Sequence, residues 1–206
     1  IGSHETDGIR RVHDGLPDLQ VIGLADGPTS LFFSESVKTE EQKRLTSDTE
    51  PSRHRVTLHI SLTRSADEDF RGLVALLDQD LLARNGDRQA QYAPFNKLEG
   101  LLDVAVAYRN ELPAACGAIK ELDPQTVELK RVFVHPDFRR QGLARKVLEV
   151  LEERARRKGY DVMQLETGHR QQEAIRLYLD AGFQLVENYG PYAGNRESVC
   201  MMKRLH

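Results

Sequence analysis

The most constraining stretch of the chain is Val134-His-Pro-Asp-Phe-Arg-Arg-Gln-Gly-Leu-Ala144. A β-rich run, Val127 to Val134, ends here, and Pro136 cannot continue it. A short basic loop with a glycine leads straight into the clearest helix of the sequence, Leu143 to Lys158. Its residues Leu143, Val147, Leu148, Val150, Leu151 and Ala155 form one apolar stripe. Glu152 and Arg156, and Glu153 and Arg157, are favourable i,i+4 pairs, and Gly159 stops the helix. A strand feeding a helix in this way makes an anion cradle. The first amides of a helix lack internal partners, and the helix dipole adds partial positive charge. Gly142 removes the Cβ that would block a close approach, and Arg139 and Arg140 add full charges. This is neither a P-loop nor a G-x-G-x-x-G turn. It suits a mononucleotide or any pyrophosphate, and it is also compatible with an ordinary strand-to-helix connection carrying surface arginines.

The rest of the sequence from residue 56 is patterned just as clearly. Val56 to Leu62 alternates as a strand, and Ser65 with Glu68 predicts a capping box. The helix that follows carries Phe70, Leu73, Val74, Leu77, Leu81 and Leu82 and ends near Asn85-Gly86. Asp103–Arg109 and Ala114–Lys120 read as a hairpin around Asn110-Glu-Leu-Pro113. After the long helix come a strand at Asp161–Glu166, a helix at Gln171–Ala181 and strands at Phe183–Glu187 and Ser198–Met202. The order β-α-β-β-β-α-β-α-β-β predicts an α/β (α+β) fold, a mixed sheet with helices on both faces. Residues 1–55 are expected to be a polar extension with one short hairpin and a linker at about 34–53, and residues 56–206 the folded domain.

Charge narrows the partners. The chain has 29 basic and 32 acidic side chains, which argues against a dedicated nucleic-acid binder. Residues 129–160 nevertheless hold ten basic and four acidic side chains, so an anion is expected there. No apolar run is long enough to span a bilayer, and no signal-peptide profile is visible, so a cytoplasmic protein without membrane contact is expected. Cys116 and Cys200 sit in apolar runs and are expected to be buried free thiols. No His, Cys or Asp spacing suits a metal.

Arg139-Arg-Gln-Gly-Leu-Ala144 resembles the R/Q-x-x-G-x-G/A signature of the GNAT superfamily of acyl-CoA-dependent N-acyltransferases. Phe133-Val-His-Pro136 and Ala174-Ile-Arg-Leu-Tyr-Leu-Asp-Ala-Gly-Phe183 are similar to that family as well, and the resemblance covers about residues 56–205. It implies a mostly antiparallel GNAT-like sheet and acetyl-CoA as cosubstrate, with no metal. The amides of Arg140, Gln141, Gly142, Leu143 and Ala144 would hold the pyrophosphate, with Arg139 and Arg140 near the phosphates. The backbone of Phe133 and Val134 would pair with the pantetheine arm. This strand and Met163–Thr167 would splay, with the thioester in the gap. Gln171 stands where the family often has Asn, which puts its contact to the cofactor arm in question.

The resemblance also implies catalytic roles. Acyl transfer to an amine needs the amine to lose a proton, the oxyanion to meet a donor, and the thiolate to gain a proton. Tyr178 matches the tyrosine that protonates the sulfur. Glu128 matches a glutamate used as general base. Strand alternation would put it on one face with Lys130, Val132 and Val134, where Lys130 would weaken it as a base. The alternative is a surface Glu–Lys pair. Glu166 is the competing carboxylate, and His135 and His169 are further candidate bases, His135 on a solvated turn. Asn96, Tyr189 and Tyr192, in two aromatic loops, are expected to touch the acceptor together with Glu166. The expected function is acetyl transfer from acetyl-CoA to a primary amine of a small molecule or amino acid. Alternatives are a non-catalytic acyl-CoA-binding module, and acetylation of protein lysines or N-termini. A monomer or a homodimer pairing through an exposed final strand fits the sequence equally.

Overall fold

The protein, as a computed structural model, is described for residues 56–86 and 96–206. The expectations for residues 1–55, and for the aromatic loop as far as residue 95, lie outside the described residues.

Seven strands form one sheet. In chain order the elements are β1 (Leu58–Thr63), α1 (Glu68–Asn85), β2 (Leu101–Arg109), β3 (Leu112–Asp123), β4 (Thr126–Val134), α2 (Leu143–Arg157), β5 (Val162–Gly168), α3 (Gln172–Asp180), β6 (Gln184–Val186) and β7 (Ser198–Arg204). The spatial order is β1-β2-β3-β4-β5-β7-β6. Among the described strands only β4 and β5 run parallel, because α2 carries the chain back over the sheet between them. The mixed, mostly antiparallel sheet with helices on both faces is therefore the fold of this chain. The final strand, however, is not an edge of the sheet: β7 lies between β5 and β6, and β6 covers its residues 200–202.

Alternation along β2 and β3 builds two cores. On one face Ala105, Ala107, Ala115 and Ile119 receive Val147, Leu148 and Leu151 of α2. On the other, Val104, Val106, Cys116 and Ala118 receive Phe70, Leu73, Val74 and Leu77 of α1. Small residues on β2 and β3 let α2 approach closely. A Cβ on Gly117 would stand 2.8 Å from Val147 Cγ1 and 3.0 Å from Leu151 Cδ1. Both cysteines are free and buried. Among the described residues no helix is long and apolar enough to cross a membrane.

Two local expectations are corrected and a third is extended. The cap of α1 is Asp67, not Ser65: its Oδ1 accepts from the Phe70 amide at 2.9 Å and its Oδ2 from the Thr63 hydroxyl at 2.9 Å. A charged acceptor at the positive helix end outcompetes a hydroxyl two residues earlier. The β2–β3 turn shrinks to Asn110-Glu111, with φ of 49° and 63°, and Pro113 is drawn into β3. Left-handed residues at both central positions match the twist of the paired strands. The expected Glu152–Arg156 pair forms at 3.0 Å, but Glu152 has a second partner. It is buried, and Lys203 Nζ donates to both its oxygens at 2.7 Å.

Candidate active site

Two neighbouring strands that separate are the origin of the site. β4 and β5 pair only from Thr126 with Val162 to Leu129 with Leu165. Both strands run on, to Val134 and to Gly168. The divergence starts at a bulge in β4, where Arg131 adopts φ 59° and the register against β3 shifts between Cys116 and Ala118. An extra residue in one strand bends and twists it locally. Arg131 is held there by Asp78 Oδ1 of α1 at 2.7 Å and by the carbonyl of Asn96. The bulge also corrects the face expected for β4. Glu128 and Lys130 share one face, but Val132 and Val134 turn to the α2 side and Phe133 takes the α1 side. Beyond Leu129 one edge of β4 has no strand beside it among the described residues, leaving backbone groups available to a ligand.

The cradle lies where β4 ends. A turn at Pro136–Phe138 leads to Arg140 at φ 61° and Gly142 at φ 75°. The first helical bond of α2 runs from the Lys146 amide to the Gly142 carbonyl at 3.2 Å. The amides before it have no partner within the helix. A Cβ on Gly142 would meet none of the described residues within 4 Å, so they leave the space over the helix start open. Leu143 is buried and anchors this end of α2. The two arginines differ. Arg139 braces the loop: its Nε donates to the Val134 carbonyl at 3.2 Å, its guanidinium lies 5.8 Å from the Phe133 ring, and Asp80 is 3.8 Å away. Arg140 is exposed and makes no ion pair among the described residues.

One cavity along the divergent strands is lined by Glu128, Lys130, Glu166, Gln171, Tyr178 and Tyr192, with Asn96 at its α1 side. The Glu128–Lys130 pair is not on the surface. Glu128 is 5% exposed. Its Oε2 accepts from Lys130 Nζ at 2.8 Å and its Oε1 from the Tyr189 hydroxyl at 3.2 Å. Lys130 also reaches the Tyr192 hydroxyl at 3.4 Å, and the two tyrosine rings meet edge-on at 5.7 Å. Burial, with Glu128 adding to it, pushes both phenols well above their ordinary range. Glu166 has a buried Oε1 without a hydrogen-bond partner among the described residues. Burial pushes its carboxyl upward against the Ser198 hydrogen bond and Lys130. Tyr178 is buried against Phe183, ring centres 5.9 Å apart, and burial followed by the charge of Glu166 pushes its phenol up. It therefore keeps its proton at neutral pH.

Gln171 caps the start of α3, and its Oε1 accepts from the Thr167 hydroxyl at 3.3 Å, so its amide folds onto the end of β5. His135 and His169 do not line the cavity. His135 Nδ1 accepts from the Asp137 amide at 3.3 Å, and His169 lies 3.4 Å from Glu197. Lys130, already paired with Glu128 in the sequence reading, ties it to Tyr192. Sequence reasoning missed one residue here. Asn188 fixes the tyrosine loop through its Nδ2, which donates to the Asn195 and Ser198 carbonyls, and its Oδ1, which accepts from the Cys200 amide. No cluster of three His, Cys, Asp or Glu residues suited to a metal occurs among the described residues.

Comparison with known proteins adds four findings. The acetyltransferase (GNAT) family is matched over residues 61–183. The uncharacterized N-acetyltransferase YsnE of Bacillus subtilis is 37% identical over 101 residues, which is 48% of this chain and 67% of that protein. A Klebsiella pneumoniae protein assigned as an acyl-CoA N-acyltransferase has a similar structure, with a TM-score of 0.60, 31% identity, and coverage of 72% of this chain and 98% of that one. A Salmonella typhimurium protein crystallised with its cofactor acetyl-CoA shares the fold at a TM-score of 0.53 and 24% identity, over 73% of this chain and 95% of that one.

Proposed function

The chain belongs to the acetyltransferase (GNAT) family and is an acyl-CoA N-acyltransferase of that type, and from that premise we propose that it moves an acetyl group from acetyl-CoA to a primary amine of a small molecule or amino acid. The observation that carries the proposal is the open edge of β4, with the helix-start cradle at one end and the cavity of Tyr178, Glu128 and Glu166 alongside. The amides of Arg140 to Ala144 would take the pyrophosphate, and Arg140 would add charge from solvent. Arg139 would act by holding the loop, because its guanidinium is already engaged. The backbone of Phe133 and Val134 would bond the pantetheine arm as a neighbouring strand would. Gln171 would border the arm from the end of β5.

In this reading the amine attacks the thioester carbonyl directly, with no acyl-enzyme. Tyr178 donates a proton to sulfur as the carbon–sulfur bond breaks. Asn96, Tyr189 and Tyr192 border the acceptor side, and Glu128 fixes Tyr189 directly and Tyr192 through Lys130.

The test is the thermal midpoint with acetyl-CoA, CoA and ATP, followed by thiol release with amines. A ligand at 100 times its Kd stabilises by about 2.7 kcal/mol. Acetyl-CoA and CoA should raise the midpoint and ATP should not. An unmoved midpoint at millimolar acetyl-CoA would sink the assignment.

A further inference from the structure

Arg131, at the bulge of β4, is a buried cation that the proposed reaction does not use. Its side chain is 6% exposed, and its backbone sits at φ 59°. A left-handed backbone is unfavourable for a residue with a Cβ and persists only where its surroundings hold it. Here the hold is on the guanidinium: Nη1 donates to Asp78 Oδ1 at 2.7 Å, and Nη2 to the Asn96 carbonyl. The third nitrogen, Nε, is buried without a hydrogen-bond partner among the described residues. An unmatched buried donor is unfavourable, and in a cavity wall it marks the place of an acceptor that a ligand brings. Arg131 lines the same cavity as Tyr178 and Tyr192, on its α1 side with Leu77, Leu81 and Asn96.

The charge of Arg131 is incompletely matched as well. Asp78 is 48% exposed, so water screens the pair from that side. Asn96 offers only a neutral carbonyl. A carboxylate bonds a guanidinium more strongly than a carbonyl does, because the bond is charge-assisted and the planar fork fits two oxygens. It would displace the Asn96 carbonyl and take up Nε. A phosphate dianion fits less well, because the tyrosine side of the cavity holds Glu128 and Glu166 against Lys130. A single negative charge on a small planar group, carried by a molecule whose other end is an amine, matches both sides.

We propose that Arg131 binds the carboxylate of the acceptor, so that the acceptor is an amino acid with a free carboxyl group. The inference rests on the acetyl-transfer reading and narrows its acceptor. With the carboxylate on the α1 side, the amine faces the parted strands, where the thioester would lie. A protein N-terminus has its carboxyl tied in a peptide bond, and a protein lysine has none near its amine, so neither supplies this contact. Arg131 sets specificity and takes no part in proton transfer.

The experiment follows thiol release from acetyl-CoA by the full chain. The acceptors are the standard amino acids and β-alanine, each beside its carboxamide, and a peptide with an N-terminal alanine. For the preferred amino acid, kcat/KM should exceed that of its carboxamide by about 10- to 100-fold. The carboxamide has the more acidic ammonium, so a site blind to the carboxylate would favour the carboxamide instead. Arg131→Gln should bring the ratio of the two to within about threefold of one, whatever the absolute rates. If R131Q does not fold, Arg131→Lys, which keeps the charge and loses the fork, should narrow the ratio about tenfold. Binding without turnover gives a second readout. With CoA present, the N-acetyl amino acid should raise the thermal midpoint of the parent, and its carboxamide should not. The proposal is overturned if the parent takes the carboxamide or the peptide as well as the amino acid. It is equally overturned if the Arg131 variant lowers both rates alike and keeps the ratio, which is what a merely structural residue would do. A parent that binds acetyl-CoA yet acetylates none of these acceptors overturns it too. A parent that does not bind acetyl-CoA removes the acetyl-transfer reading itself.

Discussion

At the scale of single residues, Tyr178 gives the sharpest separation between an enzyme and a binding module. Its ring is packed on Phe183 and its hydroxyl keeps its proton at neutral pH. Tyr178→Phe preserves the packing and deletes the proton. Turnover should fall about 100-fold, while the midpoint shift with CoA stays the same. Unchanged turnover in steady-state assays would remove Tyr178 from the reaction. This residue, the carboxylates and the tyrosine loop were legible as positions in a chain. Their partnerships were not. Glu128 and Lys130 are two residues apart, yet their burial depends on Tyr189 and Tyr192, more than 60 positions away. The shared face expected for Glu128 and Val134 failed at Arg131. No glycine or proline marks that bulge, and the residue is held left-handed by Asp78 and Asn96 from elsewhere in the chain.

At the scale of elements, the contact between α2 and the sheet sets where the cradle sits. Gly117 allows that contact, since a Cβ there would collide with Val147 and Leu151. Gly117→Ala should cost about 1–3 kcal/mol by overpacking. It should lower the urea midpoint with an unchanged m-value, and it should weaken CoA by moving the helix start. Gly142→Val acts differently, because nothing crowds the position. The left-handed backbone at φ 75° would cost a β-branched residue about 1–2 kcal/mol. The new methyls would stand in the open space over the helix start, so calorimetry should show CoA affinity falling more than stability. Helices and strands from residue 56 onward were legible because period and punctuation agree. Their ends were less so: the α1 cap moved from Ser65 to Asp67, where a charged oxygen also collects the Thr63 hydroxyl.

At the scale of the whole molecule, the alternation of strands and helices foretold a mixed sheet, but not its strand order. The placement of β7 between β5 and β6 depends on register, and short apolar strands do not announce their neighbours. The parting of β4 from β5 was implied by the family resemblance alone. Across that opening, Arg84 of α1 pairs with Glu173 of α3, and Arg145 of α2 donates to the Asp180 carbonyl at 2.8 Å. These contacts join helices where the strands no longer meet.

The four paired positions between β4 and β5 make the sheet a garment left partly unstitched. If acetyl-CoA lies along the loose edge, its amide-bearing arm is the thread, and the amides of residues 131–134 should exchange with deuterium more slowly once it is bound. Each turnover and release of CoA would then unpick the closure. The resistance of this chain to heat and proteolysis would rise and fall with the cosubstrate supply, so that the molecule is best protected when it is ready to react.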